Sequence, residues 1–573
     1  MVSNDGKLYL KKVKGKVRDL ERAIDFGEIK GAGIGHTRWA THGKPTVTNA
    51  HPHTDCTESI VLVHNGIIEN YEELREELAS KGHVFKSDTD TEVIVHLIED
   101  FLKEGLEKFE AVVAAMRKVD GAYAVGVIFK DEPNAIYAAR RGSPLIIGVG
   151  EAENFIASDI PAVLNYTRRV VVLNDFEIAK ITPDEVVVKS IFGDFVNYKV
   201  LEIQWSAQMA EKGGYPHYML KEIHEQPSAI MDTMRGRIKD GEVFLPELDE
   251  LLGEELPSRI YIVACGTSYH AGLVGKYAIE KLAKIPVEVD IASEFRYRDV
   301  VWDDRGMALL ISQSGETADT LAAMHMIQRA GLKTVAVVNV LGSTMSRDAD
   351  VALYTRAGPE ISVASTKAFT SQLTVLYLFA LWLAAKSDPR GTEVLKNILS
   401  GLAFVPQLVD TVLTAEEKIA FMAEKFASFS HFMYLGRGIN WPVAMEGALK
   451  LKEISYIHAE AYPAGEMKHG PIALVDDKMP VFAIATKSRV YEKMINNIEE
   501  VLSREGRLIA LISQDDRRLM NKVQDVIVMP EVAEIFSPVV NVVALQLFAY
   551  YCAIERGLDP DRPRNLAKSV TVE

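Results

Sequence analysis

Lys450 and Glu453 stand three residues apart in a helical stretch and so share a face. A carboxylate there suits lifting a proton from one carbon and returning it to the next, with an acid nearby for the oxygen. The plain alternative is an exposed ion pair, but Ala444, Ala448, Leu449 and Leu451 make this a packed helix. His469, between Gly465 and the pair Gly470-Pro471, belongs to a constrained loop, where a histidine is a better functional candidate than in a core. A surface histidine without a role is its alternative. Ser312, Gln313, Ser314 and Thr317 surround one glycine between an apolar strand and a helix, and Thr267 and Ser268 do the same in the preceding loop. Helix N-termini favour anions, and hydroxyls add donors. One such loop reads as an ordinary N-cap. Two at the carboxyl ends of parallel strands read as a phosphate site. Further upstream, Arg38 can pair with an α-carboxylate, Asp90 can hold an α-ammonium, and Asn65 and Gly66 can donate to an oxyanion, which are parts that amide hydrolysis needs. Their plain readings are a salt bridge and a hairpin turn. The segment Ser362-Val363-Ala364-Ser365-Thr366-Lys367 is by physics alone a helix entry, and Lys568 in the final stretch is by itself a solvated end charge.

These residues need scaffolds. Residues 1 to about 190 read as short strands with two helices, an α+β layer pattern. Ile60–Val63, Tyr123–Phe129 and Pro144–Val149 are strands, and Tyr71–Lys81 and Thr91–Lys103 are the helices. Residues 191–249 are more polar and read as a connection, with a turn at Pro227. Buried strands then alternate with helices: Arg259–Ala264, Ala308–Ile311 and Thr334–Val338, with Ala318–Ala330 helical. The pattern recurs at Phe432–Gly438, Val481–Ala485 and Leu508–Ile512. Two tandem doubly wound parallel α/β units follow. The expected divisions are 1–190, 191–249, 250–390, a linking helical segment 391–422, 423–562 and a tail 563–573.

The formal charge of −16 argues against a nucleic-acid partner. Three cysteines, Cys56, Cys265 and Cys552, are too few and too scattered for a disulfide framework or a zinc site and suit a reducing compartment. The first residues lack the apolar core of a signal peptide. The apolar run Leu373–Ala385 is shorter than the about 20 residues a bilayer needs. No membrane partner and a cytoplasmic location are expected.

The stretch His36–Gly43, with His64-Asn65-Gly66 and Ser87–Glu92, resembles the glutamine-hydrolysing domain of the N-terminal-cysteine (Ntn-type) amidotransferases. The tandem units resemble sugar isomerase (SIS) domains. From these units to its last residues the chain resembles the glutamine:fructose-6-phosphate aminotransferase family, most literally in the tail Asp561–Glu573. The resemblance implies a truncated α+β amidotransferase domain followed by two α/β doubly wound SIS domains. It implies conversion of D-fructose 6-phosphate and L-glutamine to D-glucosamine 6-phosphate and L-glutamate, the first step of amino-sugar biosynthesis, with no metal or organic cofactor. Arg38, Trp39, Thr41, His42, Asn65, Gly66 and Asp90 would surround glutamine, with Trp39 gating an ammonia channel. Thr267, Ser268, Ser312, Gln313, Ser314 and Thr317 would hold the phosphate, and Val363 and Ser365 the sugar. Lys568 would form an imine with the open-chain ketose, Glu453 would move the proton between C1 and C2 with Lys450 in support, and His469 would assist ring opening from the neighbouring subunit of a homodimer.

The family's nucleophile is a cysteine directly after the initiator methionine, whereas residue 2 here is Val2. Cys56 has no free α-amine to serve as its base. An internal start within a longer native protein is therefore expected. The alternative is an ammonia-dependent synthase or phosphosugar isomerase. A non-catalytic phosphosugar sensor would need the phosphate loops but not Glu453, His469 and Lys568.

Overall fold

The computed structural model describes residues 1–571 except 16, 26, 28, 39–41, 204–210, 254, 389 and 390. The chain forms two compact units, Met1–Ala207 with Val570–Glu573, and Gln208–Ser569.

The first unit is built on a six-stranded antiparallel sheet, in the order Val186–Ser190, Glu177–Ile181, Glu132–Arg141, Gly121–Phe129, Ile60–Ile68 and His53–Thr54. Helices Tyr71–Ser80, Glu92–Lys103 and Lys108–Lys118 supply side chains to one core with this sheet, where Leu62 and Val125 meet Ile94, Leu97 and Val112. A second core, including Ala124, Ala138, Ile147 and Val171, joins the sheet to a four-stranded one containing Ile146–Val149 and Arg169–Val172. The α+β layering expected from the sequence is present. Lys108–Lys118 was not expected as a helix, although Phe109, Val112, Val113 and Met116 have helical spacing and the last three are buried. Val17–Ala23 also went unread; Val17, Leu20 and Ile24 have helical spacing, but the helix buries no side chain.

The second unit contains two five-stranded sheets in which every pairing is parallel. Counted along the chain, each sheet has the strand order 2-1-3-4-5. Such sheets bind ligands outside the carboxyl ends of their strands, where the order reverses between strands 1 and 3. In the first sheet these are Ile260–Ala264 and Met307–Ser312. Their side chains are buried along both strands, which explains their unbroken apolar runs.

Pro227 does not mark a turn. It occupies the first turn of helix Gln226–Met234, where its missing N–H costs nothing, and Tyr218–His224 before it is helical too. The apolar run at Leu373 belongs to a longer helix, Lys367–Ser387. This helix and Glu534–Glu555 are each long and apolar enough to cross a membrane, but 94% of each apolar window is buried inside the protein. The first is longer than its apolar run because Thr370 and Thr374 return their hydroxyls to the helix's own carbonyls, at 3.2 and 2.8 Å, and can be buried.

Candidate active site

Two polar loops follow strands 1 and 3 of the first parallel sheet. Thr267 and Ser268 lie in the first turn of helix Gly266–Leu282, and Thr317 immediately precedes helix Ala318–Arg329. The N-cap positions, Cys265 and Thr317, make no side-chain capping bond in either helix. The hydroxyls therefore do not spend themselves as caps. Ser312 Oγ lies 2.9 Å from Thr317 Oγ1 and accepts the Gly315 N–H at 3.0 Å, and Ser314 Oγ accepts the Glu316 N–H at 3.2 Å. Gly315 has φ +68°, and a Cβ there would fall 2.2 Å from Ser343 Oγ, so only glycine allows this loop. Gln313 lends its carbonyl to the Asn339 N–H at 3.0 Å, and Ser268 Oγ accepts from Gln372 Nε2 at 3.0 Å.

Helix Trp441–Ser455, from the second sheet's half of the unit, brings its charges to the first of these loops. Lys450 is buried, with its Nζ 2.7 Å from Glu453 Oε2, 3.4 Å from Glu446 Oε1 and 3.2 Å from Thr267 Oγ1. Burial alone would lower the lysine's pKa, but Glu446, Glu453 and Glu360 hold it charged. Glu446 is fully buried and accepts from Thr267 Oγ1 at 3.0 Å and pairs with His270 Nδ1 at 2.7 Å. Burial pushes its carboxyl up, and Lys450 and His270 more than reverse this. Glu453 is the partly exposed end of the chain of charges, with 22% of its side chain accessible.

The polar segment before helix Lys367–Ser387 meets the tail. Glu360 is fully buried and accepts the N–H groups of Thr366 and Ala368 at 2.9 and 3.0 Å and Ser365 Oγ at 3.1 Å. Its second partner on Oε2 is Lys568 Nζ. Burial would raise the Glu360 carboxyl, but Lys568 and these hydrogen bonds hold it below the usual range. The tail is fastened on its way there. Asp561 accepts the N–H groups of Tyr218 and Met219 at 2.9 and 2.8 Å, its carbonyl accepts the Val363 N–H at 3.2 Å, and Arg564 lies over the Tyr456 ring. Glu222 accepts the Ser362 N–H at 3.1 Å, and burial together with Glu360 pushes its carboxyl up to about 7.

Thr267, Lys450 and Glu453 are thus joined through Glu446, and Ser365 and Lys568 through Glu360, whose charge also acts on Lys450; sequence reasoning missed both carboxylates. Glu446 had a signal, lying four residues before Lys450 on the same face. Glu360 had none. His469 is exposed at the end of the 3-10 turn Ala464–His469, and among the described residues it has no hydrogen bond or ion pair with Glu453, Lys450 or Lys568.

In the first unit, Asn65 and Gly66 lie inside strand Ile60–Ile68, paired with Ala124 and Tyr123, and not in a hairpin turn. The ladder to Gly121–Phe129 carries the strand through the dipeptide. Gly66 has φ +143°, and a Cβ there would fall 2.0 Å from the Ala122 carbonyl oxygen. Asp90 is buried and accepts the Ile68 N–H at 2.8 Å. The Arg38 guanidinium donates to the carbonyls of His42, Gly43 (3.0 Å) and Lys44 (3.3 Å), and among the described residues it makes no ion pair with Asp90. Burial lowers the Arg38 pKa and the charge of Asp90 opposes this, so the two groups sense each other without touching. The His42 ring packs edge-on to Tyr71 at 5.2 Å. Trp39 and Thr41 lie outside the described residues. Cys56 Sγ faces His83 and His96 at 3.8 and 3.7 Å.

Behind this clamp four histidines crowd together, with His36 and His51 ring centres 4.3 Å apart, His51 and His53 5.0 Å apart, and His64 Nδ1 3.0 Å from Thr91 Oγ1. Burial, then His64 and Arg38, pushes His36 down to about 4. Burial, then Lys12, pushes His53 down to about 3 against the pull of Glu92. Both start from 6.5, so below that pH the unfolded chain binds protons that the folded one refuses. The stability of the first unit is therefore present above pH 6.5 and is lost as pH falls from there towards 4, by up to about 1.4 kcal/mol per pH unit for each ring. The urea midpoint of its unfolding should fall between about pH 7 and about pH 5; a constant or rising midpoint contradicts the reading.

An antiparallel layered domain followed by two parallel sheets, each of strand order 2-1-3-4-5, fits a glutamine amidotransferase domain joined to two SIS domains. The family model described as a glutamine amidotransferase domain matches residues 36–165, and that of the SIS domain matches 257–382 and 425–556. The glutamine–fructose-6-phosphate aminotransferase (isomerizing) of Aquifex aeolicus is 51% identical over 570 residues, covering 99% of this chain and 94% of that protein. The one from Thermococcus kodakarensis is 52% identical over 581 residues, covering 100% and 94%. Among solved structures, the C-terminal domain of glucosamine-fructose-6-phosphate aminotransferase from Francisella tularensis matches with a TM-score of 0.59 at 43% identity, covering 61% of this chain and 100% of that one. The chain belongs to the glutamine–fructose-6-phosphate aminotransferase (isomerizing) family.

Proposed function

We propose that the chain converts D-fructose 6-phosphate and L-glutamine to D-glucosamine 6-phosphate and L-glutamate. The observations that support this most are the pairing of a tail lysine, Lys568, with the buried Glu360, and the Lys450–Glu453 pair set against Thr267 of the first hydroxyl loop, with the charge of Glu360 acting on Lys450. Thr267, Ser268, Ser312, Gln313, Ser314 and Thr317 hold the phosphate, and Val363 and Ser365 contact the sugar. Lys568 attacks the C2 carbonyl of the open ketose and loses water to give an imine. Ammonia displaces the lysine. Glu453 takes a proton from C1 and returns it to C2, which turns the ketose imine into the 2-amino aldose. Lys450 stays protonated and fixes the Glu453 carboxylate. Glu360 holds the Lys568 ammonium until sugar arrives.

Arg38 and Asp90 hold the carboxylate and ammonium ends of glutamine, Asn65 and Gly66 stabilise the oxyanion, and Trp39, Thr41 and His42 complete the pocket. The thiol that attacks the glutamine amide in the family is not among these residues, and Cys56 does not supply it, since its sulfur lies against His83 and His96. The exposed His469 acts across the interface of a homodimer in the cytoplasm, and residues 563–573 serve as the active-site tail.

The test is formation of glucosamine 6-phosphate from fructose 6-phosphate with glutamine and, separately, with ammonium as nitrogen source. Product with glutamine is the expected result. Product with ammonium alone would overturn glutamine use and leave the sugar chemistry standing; product with neither would overturn both. Borohydride should trap the sugar on the wild-type chain, and Lys568→Arg should abolish both trapping and synthesis.

A further inference from the structure

We propose that the first unit binds a structural zinc ion through Cys56, His83, His96 and Glu99. One ligand atom from each lies within 4.8 Å of the other three. Cys56 Sγ is 3.8 Å from His83 Nδ1 and 3.7 Å from His96 Nδ1, and Glu99 Oε2 is 3.1 Å from both ring nitrogens. Tetrahedral zinc, bonded at about 2.3 Å to sulfur and about 2.0–2.1 Å to nitrogen and oxygen, sets sulfur–nitrogen edges of about 3.6 Å and nitrogen–oxygen edges of about 3.4 Å. The four separations lie within about 0.3 Å of those edges.

The surroundings point the same way. His83 Nε2 faces Asp100 Oδ1 at 3.5 Å and His96 Nε2 faces Glu92 Oε1 at 3.7 Å. A proton on each Nε2 is what those carboxylates call for, and it leaves both Nδ1 lone pairs aimed at one point, the usual outer shell of a metal-bound histidine. Hydrogen bonds alone satisfy the group poorly. For both Nδ1 atoms to donate to Glu99, either the Nε2 lone pairs must face carboxylates, or two buried rings must both be charged. A divalent cation removes the conflict, and a thiolate and a carboxylate balance its charge. The Val84 N–H, 3.5 Å from Cys56 Sγ, suits a thiolate acceptor. The sulfur excludes magnesium and calcium, and one sulfur, two imidazoles and one carboxylate suit zinc.

Four protein ligands close the site, so its role is structural. Cys56 lies in a turn organised by Asp55, which accepts the N–H groups of Thr57, Ser59 and Ile60 at 3.1, 2.7 and 2.7 Å and leads into the strand carrying Asn65 and Gly66. His96 and Glu99 share a face of helix Glu92–Lys103, which starts two residues after Asp90. The ion would tie the two halves of the glutamine clamp together. Counting cysteines could not find this site, because it uses one thiol.

The full-length chain, purified without chelator, should contain one zinc per chain by elemental analysis. After chelation and titration with Co(II), it should show the visible bands of tetrahedral cobalt and a thiolate-to-metal charge-transfer band. Cys56→Ser should lose the charge-transfer band, and Asp100→Asn should weaken metal affinity about 10–100-fold. No uptake by the wild-type chain, uptake with octahedral bands only, or an unchanged charge-transfer band in Cys56→Ser would each overturn the site. The wild-type titration decides even if a variant fails to fold, and it is independent of the sugar chemistry.

Discussion

Glu453→Gln is expected to slow proton transfer between C1 and C2 of the sugar about 10²–10⁴-fold, the usual contribution of a positioned acid–base group. Glutamine keeps the shape of the side chain and can still offer an oxygen to Lys450, so the helix and the hydroxyl loops should stay as they are. What disappears is a carboxylate that can accept a proton. The position suits that role better than its neighbours do. Glu446 is fully buried between Lys450 and His270, and Glu360 is buried against Lys568, whereas Glu453, paired with Lys450, keeps 22% of its side chain accessible. Exchange of the C1 proton of fructose 6-phosphate in deuterated water, followed by NMR, reads the step directly. A binding titration of the same sugar should change by less than threefold, about 0.6 kcal/mol. Exchange at the wild-type rate would remove Glu453 from the chemistry.

The inner strands of both parallel sheets were legible because burial on two faces leaves unbroken apolar runs such as Ile260–Ala264 and Leu508–Ile512. The edge strands were not. Val287-Glu288-Val289-Asp290-Ile291 and His458–Pro463 mix polar and apolar positions because one side of each lacks a neighbouring strand. Local pairs in the site could be read as well: Lys450 and Glu453 announce themselves by a spacing of three. Glu360 and Lys568 are 208 residues apart, and Glu446 and Thr267 are 179 apart. A single glutamate in a sequence looks like any solvated surface charge, and only the fold reveals that these are buried with a lysine or a threonine against them. Asn65-Gly66 misleads in the other direction. The dipeptide is a strong turn signal, yet the long ladder between Ile60–Ile68 and Gly121–Phe129 runs through it, and the glycine is there because the Ala122 carbonyl comes too close for a side chain.

Lys450→Met should cost the second unit about 3–5 kcal/mol, the price of removing one partner from a buried ion pair. Methionine matches the lysine stem in length and apolar character, so the packing of helix Trp441–Ser455 should survive. The loss is electrostatic. Without the ammonium, Glu446 remains fully buried with only Thr267 and His270 to offset its charge, and Glu453 loses its 2.7 Å partner. The carboxyl of Glu446, held below its usual pKa mainly by Lys450 against the effect of burial, would then rise and take up a proton. Stability of the variant should therefore improve on mild acidification, whereas the wild-type pair should not gain in this way. Adding Glu446→Gln to Lys450→Met removes the stranded charge and should restore part of the loss, with a coupling energy of about 0.5–3 kcal/mol in a double-mutant cycle. Urea unfolding of the full chain, following the transition of the second unit, measures all four corners. Additive losses would mean that Glu446 and Lys450 do not depend on each other, and the buried network would then be an accident of packing, not the support that fixes Glu453 through Lys450.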